Sequence, residues 1–254
     1  MFSRYVAIGD SSTEGLDDPD GRGGYRGWAD RLAEHVARAY PGLEYANLAV
    51  RGKSAGEIRD SQLATAIDMR PDLATVVAGM NDLLRRNWSA ARVAGEVGDM
   101  VHALRELGAT VVMFTIPDVS SRMKLGRTLS QRTADLNVEL RAIAAREGAV
   151  LLDLASHSLA HDRRMWAVDR LHGNPAGHER IGNELARLLN IPGISDGGLD
   201  APIDPPPARP RREVLLEDLA WIAKFVAPWA WRRLRGRTLG DGRQPKRPRL
   251  TPVF

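Results

Sequence analysis

The sequence of 254 residues contains no cysteine. This absence excludes a disulfide-stabilised scaffold, a thiol nucleophile and a zinc or iron–sulfur site with cysteine ligands. The sequence also lacks any uncharged apolar run of about 18 residues, the length that a membrane-spanning helix needs. Its first residues lead directly into a strand-like run, without the apolar core of a signal peptide. We therefore expect a cytoplasmic protein.

The charge of the chain is unevenly distributed. The whole sequence has 36 Lys and Arg against 32 Asp and Glu, a net charge of +4. Residues 201–254 alone carry 12 basic and 5 acidic residues, so the preceding part has a small net negative charge. A basic tail is compatible with a nucleic acid or an anionic membrane surface. We favour a solvated extension, and we do not expect a nucleic-acid partner.

Five short apolar runs alternate with segments of helical periodicity. The runs are mostly continuous, as in parallel strands that are buried on both faces. They cover residues 4–8, 44–50, 73–78, 110–116 and 149–154. Apolar residues recur at spacings of three and four over residues 28–39, 56–69, 89–107, 128–147 and 175–189. This alternation predicts an α/β domain of three layers, α/β/α, with a five-stranded parallel sheet.

The composition changes near residue 191. Residues 192–212 are rich in proline and glycine, which predicts a linker after a domain of residues 1–191. Residues 213–254 follow as an amphipathic helix over 213–235 and a basic tail that we expect to be irregular. Tryptophans next to arginines within 213–237 resemble an interfacial membrane anchor. We favour instead a helix that packs against the domain or against a second subunit.

Polar residues follow the predicted strands or lie in the loop before the last helix of the domain. Ligands of open parallel sheets gather at the carboxyl ends of the strands. The polar groups there are GDSS at 9–12, RGKS at 51–54, GMND at 79–82 and DRLH at 169–172.

These groups contain the residue types that acyl transfer needs. Ser11 would be the nucleophile, and His172 would take its proton and later return it to the leaving group. Asp169 could accept a hydrogen bond from the other ring nitrogen and so fix the tautomer of the histidine. The backbone N–H of Gly52 and the side-chain amide of Asn81 would join the Ser11 N–H as donors in an oxyanion hole.

The same groups, in this order and spacing, resemble the four blocks of the SGNH (GDSL) hydrolase family over about residues 4–190. The resemblance implies a flavodoxin-like sheet and the hydrolysis of carboxylic esters or thioesters. We expect no cofactor. It also implies the roles just given for Ser11, Gly52, Asn81 and His172, with Asp169 completing a triad. Ser12 replaces the leucine of the GDSL form, and the bulk or charge of Arg51 could shape substrate choice.

Three other motifs point to different chemistry. Residues 52–56 satisfy G-x-S-x-G, which would make Ser54 the nucleophile of an α/β-hydrolase but would leave residues 9–12 and 79–82 without roles. The Gly-Lys-Ser at 52–54 mimics the end of a P-loop, but that motif needs glycine where Asn47 stands. His157 and His161 have the spacing of H-E-x-x-H, yet the residue after His157 is serine. We expect no metal site.

The loops predicted beside the cleft, 118–127 and 156–168, combine basic residues with Met123, Leu125, Met165 and Trp166. This combination would suit an acyl chain with an anionic head group, although apolar residues packed beneath a cationic surface give the same pattern.

The sequence therefore predicts a serine esterase that acts on a small-molecule ester. An acyltransferase with the same site is the nearest alternative, and a membrane- or nucleic-acid-binding module that acts through the tail is another. Deletion of residues 201–254 should separate these classes, because a hydrolase would keep its chemistry and a binding module would lose its function.

Overall fold

The first strand of the chain lies in the middle of the sheet. The computed structural model describes residues 1–120, 126–194, 198–199, 211–228, 231, 235 and 238–254. Six strands form one mixed sheet in the order β5-β4-β3-β1-β2-β6. Their bounds are Arg4–Gly9 (β1), Glu44–Asn47 (β2), Leu73–Val77 (β3), Thr110–Phe114 (β4), Val150–Leu152 (β5) and Arg247–Pro252 (β6). The first five strands are parallel, and β6 pairs antiparallel with β2.

Helices connect the strands and cover both faces of the sheet. In chain order they are Ser11–Glu14 (α1), Gly27–Ala39 (α2), Ala55–Ile58 (α3), Ala64–Asp68 (α4), Ala90–Glu106 (α5), Gly126–Glu147 (α6), Pro175–Leu188 (α7) and Arg211–Trp221 (α8). A π-helical turn, Arg59–Leu63, joins α3 to α4, and a second one, Ile222–Val226, continues α8. The helix caps follow the sequence: the Asn174 side chain accepts from the Gly177 N–H, and Pro175 begins α7.

Alternate residues of the strands enter two separate cores. Val6 and Ile8 of β1 pack with residues of α3, α5 and α6, whereas Tyr5 and Ala7 pack with residues of α2 and α7. Trp28 of α2 is fully buried in the second core and contacts the Phe114 ring. Burial of each such large side chain contributes about 1.5–3 kcal/mol to folding. The three-layer α/β/α architecture predicted from the sequence is confirmed.

The sheet has one strand more than the sequence predicts. The expectation of an irregular stretch after Gly236 is wrong, because residues 247–252 form β6 at the edge beside β2. Its two prolines are tolerated because an edge strand leaves one row of N–H groups without a partner in the sheet. Of the predicted linker, residues 195–197 and 200–210 lie outside the described residues.

The strand order places a topological switch between β1 and β3. Connections leave these neighbouring strands toward opposite sides, which opens a crevice at their carboxyl ends. The GDSS and GMND groups follow these two strands. In the part of the chain that the structure describes, no helix is long and apolar enough to cross a membrane.

Candidate active site

Ser11 lies at a tight turn from β1 into α1. The Asp10 side chain caps α1 by accepting from the Ser12 N–H, so Ser11 is the first helical residue. Gly9 must be glycine here, since a Cβ atom would lie 2.3 Å from Thr13 Oγ1 and 2.8 Å from the Val77 carbonyl oxygen. This close packing fixes the strand end that carries Ser11.

A buried glutamine fixes the same strand end from the other side. Gln62 Nε2 donates to the Gly9 carbonyl oxygen, and Gln62 Oε1 accepts from the Gly9 N–H, each at a distance of 2.9 Å. Gln62 lies in the π-helical turn Arg59–Leu63, and such turns are frequent at functional sites. The sequence gives no signal for this role, because the extra residue in the turn determines where the amide points.

Ser11, His172 and Asp169 form one hydrogen-bonded chain. His172 Nε2 lies 2.7 Å from Ser11 Oγ, and His172 Nδ1 lies 2.5 Å from Asp169 Oδ2. The other carboxylate oxygen, Asp169 Oδ1, accepts from the Leu171 and His172 backbone N–H groups over 2.9 and 3.1 Å. The Asp169 carboxylate is thus fixed by the turn that carries the histidine.

A second carboxylate, which the sequence analysis missed, lies beside the histidine. Asp17 Oδ2 is 3.6 Å from His172 Nδ1, and Asp17 has the left-handed φ of 66°. Burial lowers the pKa of His172, but the carboxylates of Asp169 and Asp17 outweigh this effect and raise it to about 9. Burial raises the pKa of Asp169, but the hydrogen bond with His172 and the backbone N–H donors lower it below its usual value.

Gly52 and Asn81, the predicted oxyanion donors, lie next to the nucleophile turn. The loop before Gly52 is tied to α1, because the Arg51 backbone N–H donates to Glu14 Oε2 over 2.9 Å and the Arg51 guanidinium forms a buried ion pair with Glu14. Gly52 has a φ of 79°, which favours glycine. The Arg51 guanidinium is paired with Glu14 and lies over the Tyr25 ring, 5.2 Å from its centroid.

The amide of Asn81 has two partners in this structure. Asn81 Nδ2 donates to Asp10 Oδ2 and to the Lys53 carbonyl oxygen, each over 3.0 Å. These bonds orient the amide toward the residue before Ser11, and an oxyanion would have to share one of its two hydrogens. Burial raises the pKa of the Asp10 carboxyl to about 6, against the lowering effect of the Ser12 N–H.

The residues of the G-x-S-x-G alternative serve a structural role. Ser54 is the N-cap of α3 and forms a capping box, in which Glu57 accepts from the Ser54 N–H over 2.8 Å and from its hydroxyl over 2.6 Å. The hydroxyl of Ser54 is therefore engaged by a carboxylate rather than by a histidine.

Among the described residues, one group has the spacing of a metal site: Asp17, Asp169 and His172. These are the carboxylates and the histidine already described, and they interact with one another. His161 ends a short 3₁₀ turn and His157 lies between two such turns, and neither is part of any such group in the described ranges.

The basic groups of the flanking loop have acidic neighbours. The Arg164 guanidinium lies 2.6 Å from the Asp162 carboxylate, and the Arg163 guanidinium lies 3.6 Å from that of Glu217. The Trp166 indole donates to the Ala160 carbonyl oxygen over 2.9 Å. These pairings weaken the argument for an anionic substrate head, which stays a prediction. Met123 and Leu125 lie outside the described residues.

The sheet order and the serine, histidine and carboxylates at its carboxyl edge define a hydrolase of the SGNH fold. The chain belongs to the GDSL-like Lipase/Acylhydrolase family, whose model matches residues 7–180. The protein is accordingly a carboxylic ester hydrolase, as the resemblance in sequence predicts.

Solved structures of esterases share the fold at low sequence identity. A lipase/acylhydrolase from Enterococcus faecalis is 21% identical with a TM-score of 0.61, and the match covers 73% of this chain and 94% of that one. TesA is 20% identical with a TM-score of 0.62, and the match covers 74% of this chain and 98% of TesA. A catalytic mutant of an acetylxylan esterase from Geobacillus stearothermophilus is 15% identical with a TM-score of 0.63, covering 76% and 97%. No curated protein matches the chain significantly in sequence.

Proposed function

We propose that the protein hydrolyses carboxylic esters through an acyl-enzyme on Ser11. The Ser11 hydroxyl attacks the ester carbonyl carbon while His172 Nε2 takes its proton. The tetrahedral intermediate then collapses, the bond to the alcohol oxygen breaks, and His172 returns the proton to the departing alcohol. Water attacks the acyl-enzyme by the same route, which releases the acid and restores Ser11.

The observation that carries this proposal is the geometry around His172. Its two ring nitrogens lie within hydrogen-bond distance of Ser11 Oγ and Asp169 Oδ2, at 2.7 and 2.5 Å. Asp169 stays ionised in the proposed cycle, orients the ring and stabilises the imidazolium that forms. The lowered pKa of Asp169 supports its role as the charged partner.

In the proposed mechanism, three groups stabilise the developing oxyanion. The Ser11 N–H belongs to the first residue of α1 and so has no partner within the helix. The Gly52 N–H and the Asn81 amide complete the proposed oxyanion hole. The loss of one donor of this kind typically costs roughly 2.7–4 kcal/mol of transition-state stabilisation. None of these steps needs a metal ion or a cofactor.

The proposed acyl-enzyme also permits transfer of the acyl group to an alcohol other than water. No contact in the described residues favours such an acceptor, and hydrolysis is the simpler proposal. A product analysis with and without added glycerol measures the ratio of transfer to hydrolysis directly.

Covalent labelling tests the proposed nucleophile independently of the natural substrate. An alkyl fluorophosphonate should modify the protein once, and fragmentation mass spectrometry should place the adduct on Ser11 rather than on Ser12 or Ser54. The His172→Asn variant serves as the control, since a serine without its base should label far more slowly. An adduct on Ser54, or equal labelling of the variant, would contradict the proposal.

A further inference from the structure

The C-terminal extension, residues 211–254, lies beyond the family match, which ends at residue 180. Its end is attached firmly to the domain. Strand β6 pairs with β2, and the Lys246 ammonium lies 2.9 Å from Asp30 and donates to the carbonyl oxygens of Tyr25 and Arg26. The Arg247 guanidinium stacks on the Tyr45 ring. The end of the extension, residues 238–254, is thus part of the folded domain.

Helix α8 of this extension contacts the loop that carries the proposed base. The indole Nε1 of Trp221 donates to the main-chain carbonyl oxygen of Asp169 over 2.8 Å. Trp221 is only 6% exposed, and its hydrogen bond to Asp169 is partly buried. A hydrogen bond to the backbone of Asp169 restrains where the Asp169 side chain can point, and that side chain is the acidic partner of His172.

The residue after Asp169 is held by the same helix. Arg170 has a left-handed φ of 66° and is 2% exposed. Its guanidinium pairs with Asp218 over 2.7 Å and lies over the Trp221 ring, 4.7 Å from the centroid. A left-handed conformation at a non-glycine residue is strained and persists only where its surroundings hold it. Asp218 and Trp221 supply part of that restraint.

The orientation of α8 supports a specific contact rather than general apolar packing. Two of its exposed side chains are leucines: Leu216 is 59% exposed and Leu219 is 56% exposed. Asp218 and Trp221, which face the base loop, are each 6% exposed. The amphipathic helix predicted over residues 213–235 would pack leucines such as Leu219 against the domain, but Leu219 is exposed in the structure.

The extension also contacts the opposite side of the site. A Cβ atom on Gly52 would lie 3.3 Å from Thr238 Cβ and 3.6 Å from the backbone nitrogens of Leu239 and Gly240. The turn at 238–241 is closed by the Thr238 N–H and hydroxyl, which both donate to the Asp241 carboxylate. The extension therefore contacts both the base loop and the loop of the proposed oxyanion glycine.

We propose that Trp221 and Asp218 are positioning residues, which hold the turn at 169–172 so that Asp169 and His172 align with Ser11. This inference rests on the proposed function of that histidine. It assigns to the extension a part in the geometry of the site, beyond the region that the family match covers.

Two variants and a matched control on the same helix test the inference. Trp221→Phe keeps an aromatic ring beside Arg170 but loses the N–H donor, and Asp218→Asn loses the charge that pairs with Arg170. Leu219→Ala is the matched control, because it changes an exposed side chain that lies between Asp218 and Trp221 in the sequence of α8. The measurements are kcat, KM and the pH dependence of kcat/KM with a p-nitrophenyl ester. The low-field proton signal of His172 Nδ1 in the NMR spectrum is recorded in parallel.

We expect both variants to lower kcat by about tenfold to a hundredfold with little change in KM, since small misplacements of a catalytic group have effects of this size. The Nδ1 proton signal should weaken or shift, and the acidic inflection of kcat/KM should move to lower pH. Leu219→Ala should match the wild type. If Trp221→Phe does not fold, Asp218→Asn decides the question by the same readouts.

A folded Trp221→Phe and Asp218→Asn pair with wild-type kcat, pH profile and Nδ1 signal would overturn the inference. Ser11→Ala, assayed beside them, separates this failure from failure of the proposed function. An active Ser11→Ala would refute the acyl-enzyme itself. The NMR signal would then still report whether α8 holds the Asp169–His172 contact.

Discussion

Asp17 Oδ2 lies 3.6 Å from His172 Nδ1, so the proposed base has a second carboxylate beside the one that accepts its hydrogen bond. Asp17 is partly exposed, with 38% of its side chain accessible, whereas the Asp169 side chain is 16% accessible. The two carboxylates therefore differ in kind: Asp169 orients the ring, and Asp17 mainly adds negative charge. We therefore expect their removal to affect the plateau rate to very different extents.

The pH dependence of activity should reflect both carboxylates. His172 acts as a base only when neutral, so kcat/KM should rise with pH through the pKa of the free enzyme, about 9. In Asp17→Asn the imidazolium loses one stabilising charge, its pKa falls, and the inflection should move to lower pH with a plateau rate changed by less than about tenfold. A pH–rate profile with a p-nitrophenyl ester measures both quantities.

Asp169→Asn provides the comparison for that experiment. An amide at this position holds the wrong tautomer of the histidine, and the plateau rate should fall by roughly 10³- to 10⁴-fold. Equal effects of the two substitutions on the plateau would show that Asp17 orients the ring as much as Asp169 does.

Ser54→Ala separates the structural role of this residue from a catalytic one. Loss of the N-cap should lower the free energy of unfolding by about 0.5–2 kcal/mol while kcat stays unchanged. Ser89→Ala is the matched control, because Ser89 caps α5 by accepting from the Arg92 N–H. Denaturant unfolding and ester turnover are measured on both. A folded Ser54→Ala without activity would restore Ser54 as the nucleophile.

Gly52→Ala tests the oxyanion loop. Alanine at a φ of 79° costs about 1–2 kcal/mol of stability, and its Cβ would contact Thr238 at 3.3 Å. Alanine keeps the backbone N–H, but its Cβ would displace the loop and with it this donor, so we expect kcat to fall by about 10²- to 10³-fold, the effect of losing one oxyanion donor. Gly42→Ala is the control: Gly42 has a φ of 92° and open space around a Cβ. It should lose similar stability and keep kcat, and a Gly52→Ala variant that resembles it would argue against the proposed donor.

The contacts of the extension revise one expectation from the sequence. Deletion of residues 201–254 removes the partner of the Asp169 carbonyl, the neighbours of Gly52 and the strand that covers the edge of β2. A truncated hydrolase should therefore lose activity too, and the deletion no longer separates an enzyme from a binding module. Point substitutions within the extension, which leave the rest of the fold in place, can still separate an enzyme from a binding module.

The five parallel strands could be predicted because burial on both faces requires continuous apolar runs, as in Leu73–Val77. Strand β6 escaped prediction because it lies at the edge and carries arginines and prolines that are partly or fully exposed. Nothing in its local pattern distinguishes it from an irregular tail. Its place depends on tertiary contacts such as that of Lys246 with Asp30.

The candidate site likewise contains residues that the sequence predicts and residues that it does not. Ser11, Asp169 and His172 stand in short motifs whose spacing along the chain indicates their meeting at one edge of the sheet. Asp17, Gln62 and Trp221 reach the site through a left-handed turn, a π-helical turn and a distant helix. No sequence spacing encodes these contacts, because each depends on where a backbone irregularity directs one side chain.

The most direct test of the account is the release of p-nitrophenol from short- and medium-chain p-nitrophenyl esters by the wild type and Ser11→Ala. Ser12→Ala is the control, since Ser12 Oγ accepts a long hydrogen bond, 3.3 Å, from the Trp28 indole and has no hydrogen bond with His172 among the described residues. Turnover should fall by about 10³-fold or more in Ser11→Ala, as when a nucleophile is lost, and should persist in Ser12→Ala. Turnover by a folded Ser11→Ala at the wild-type rate would contradict the central claim.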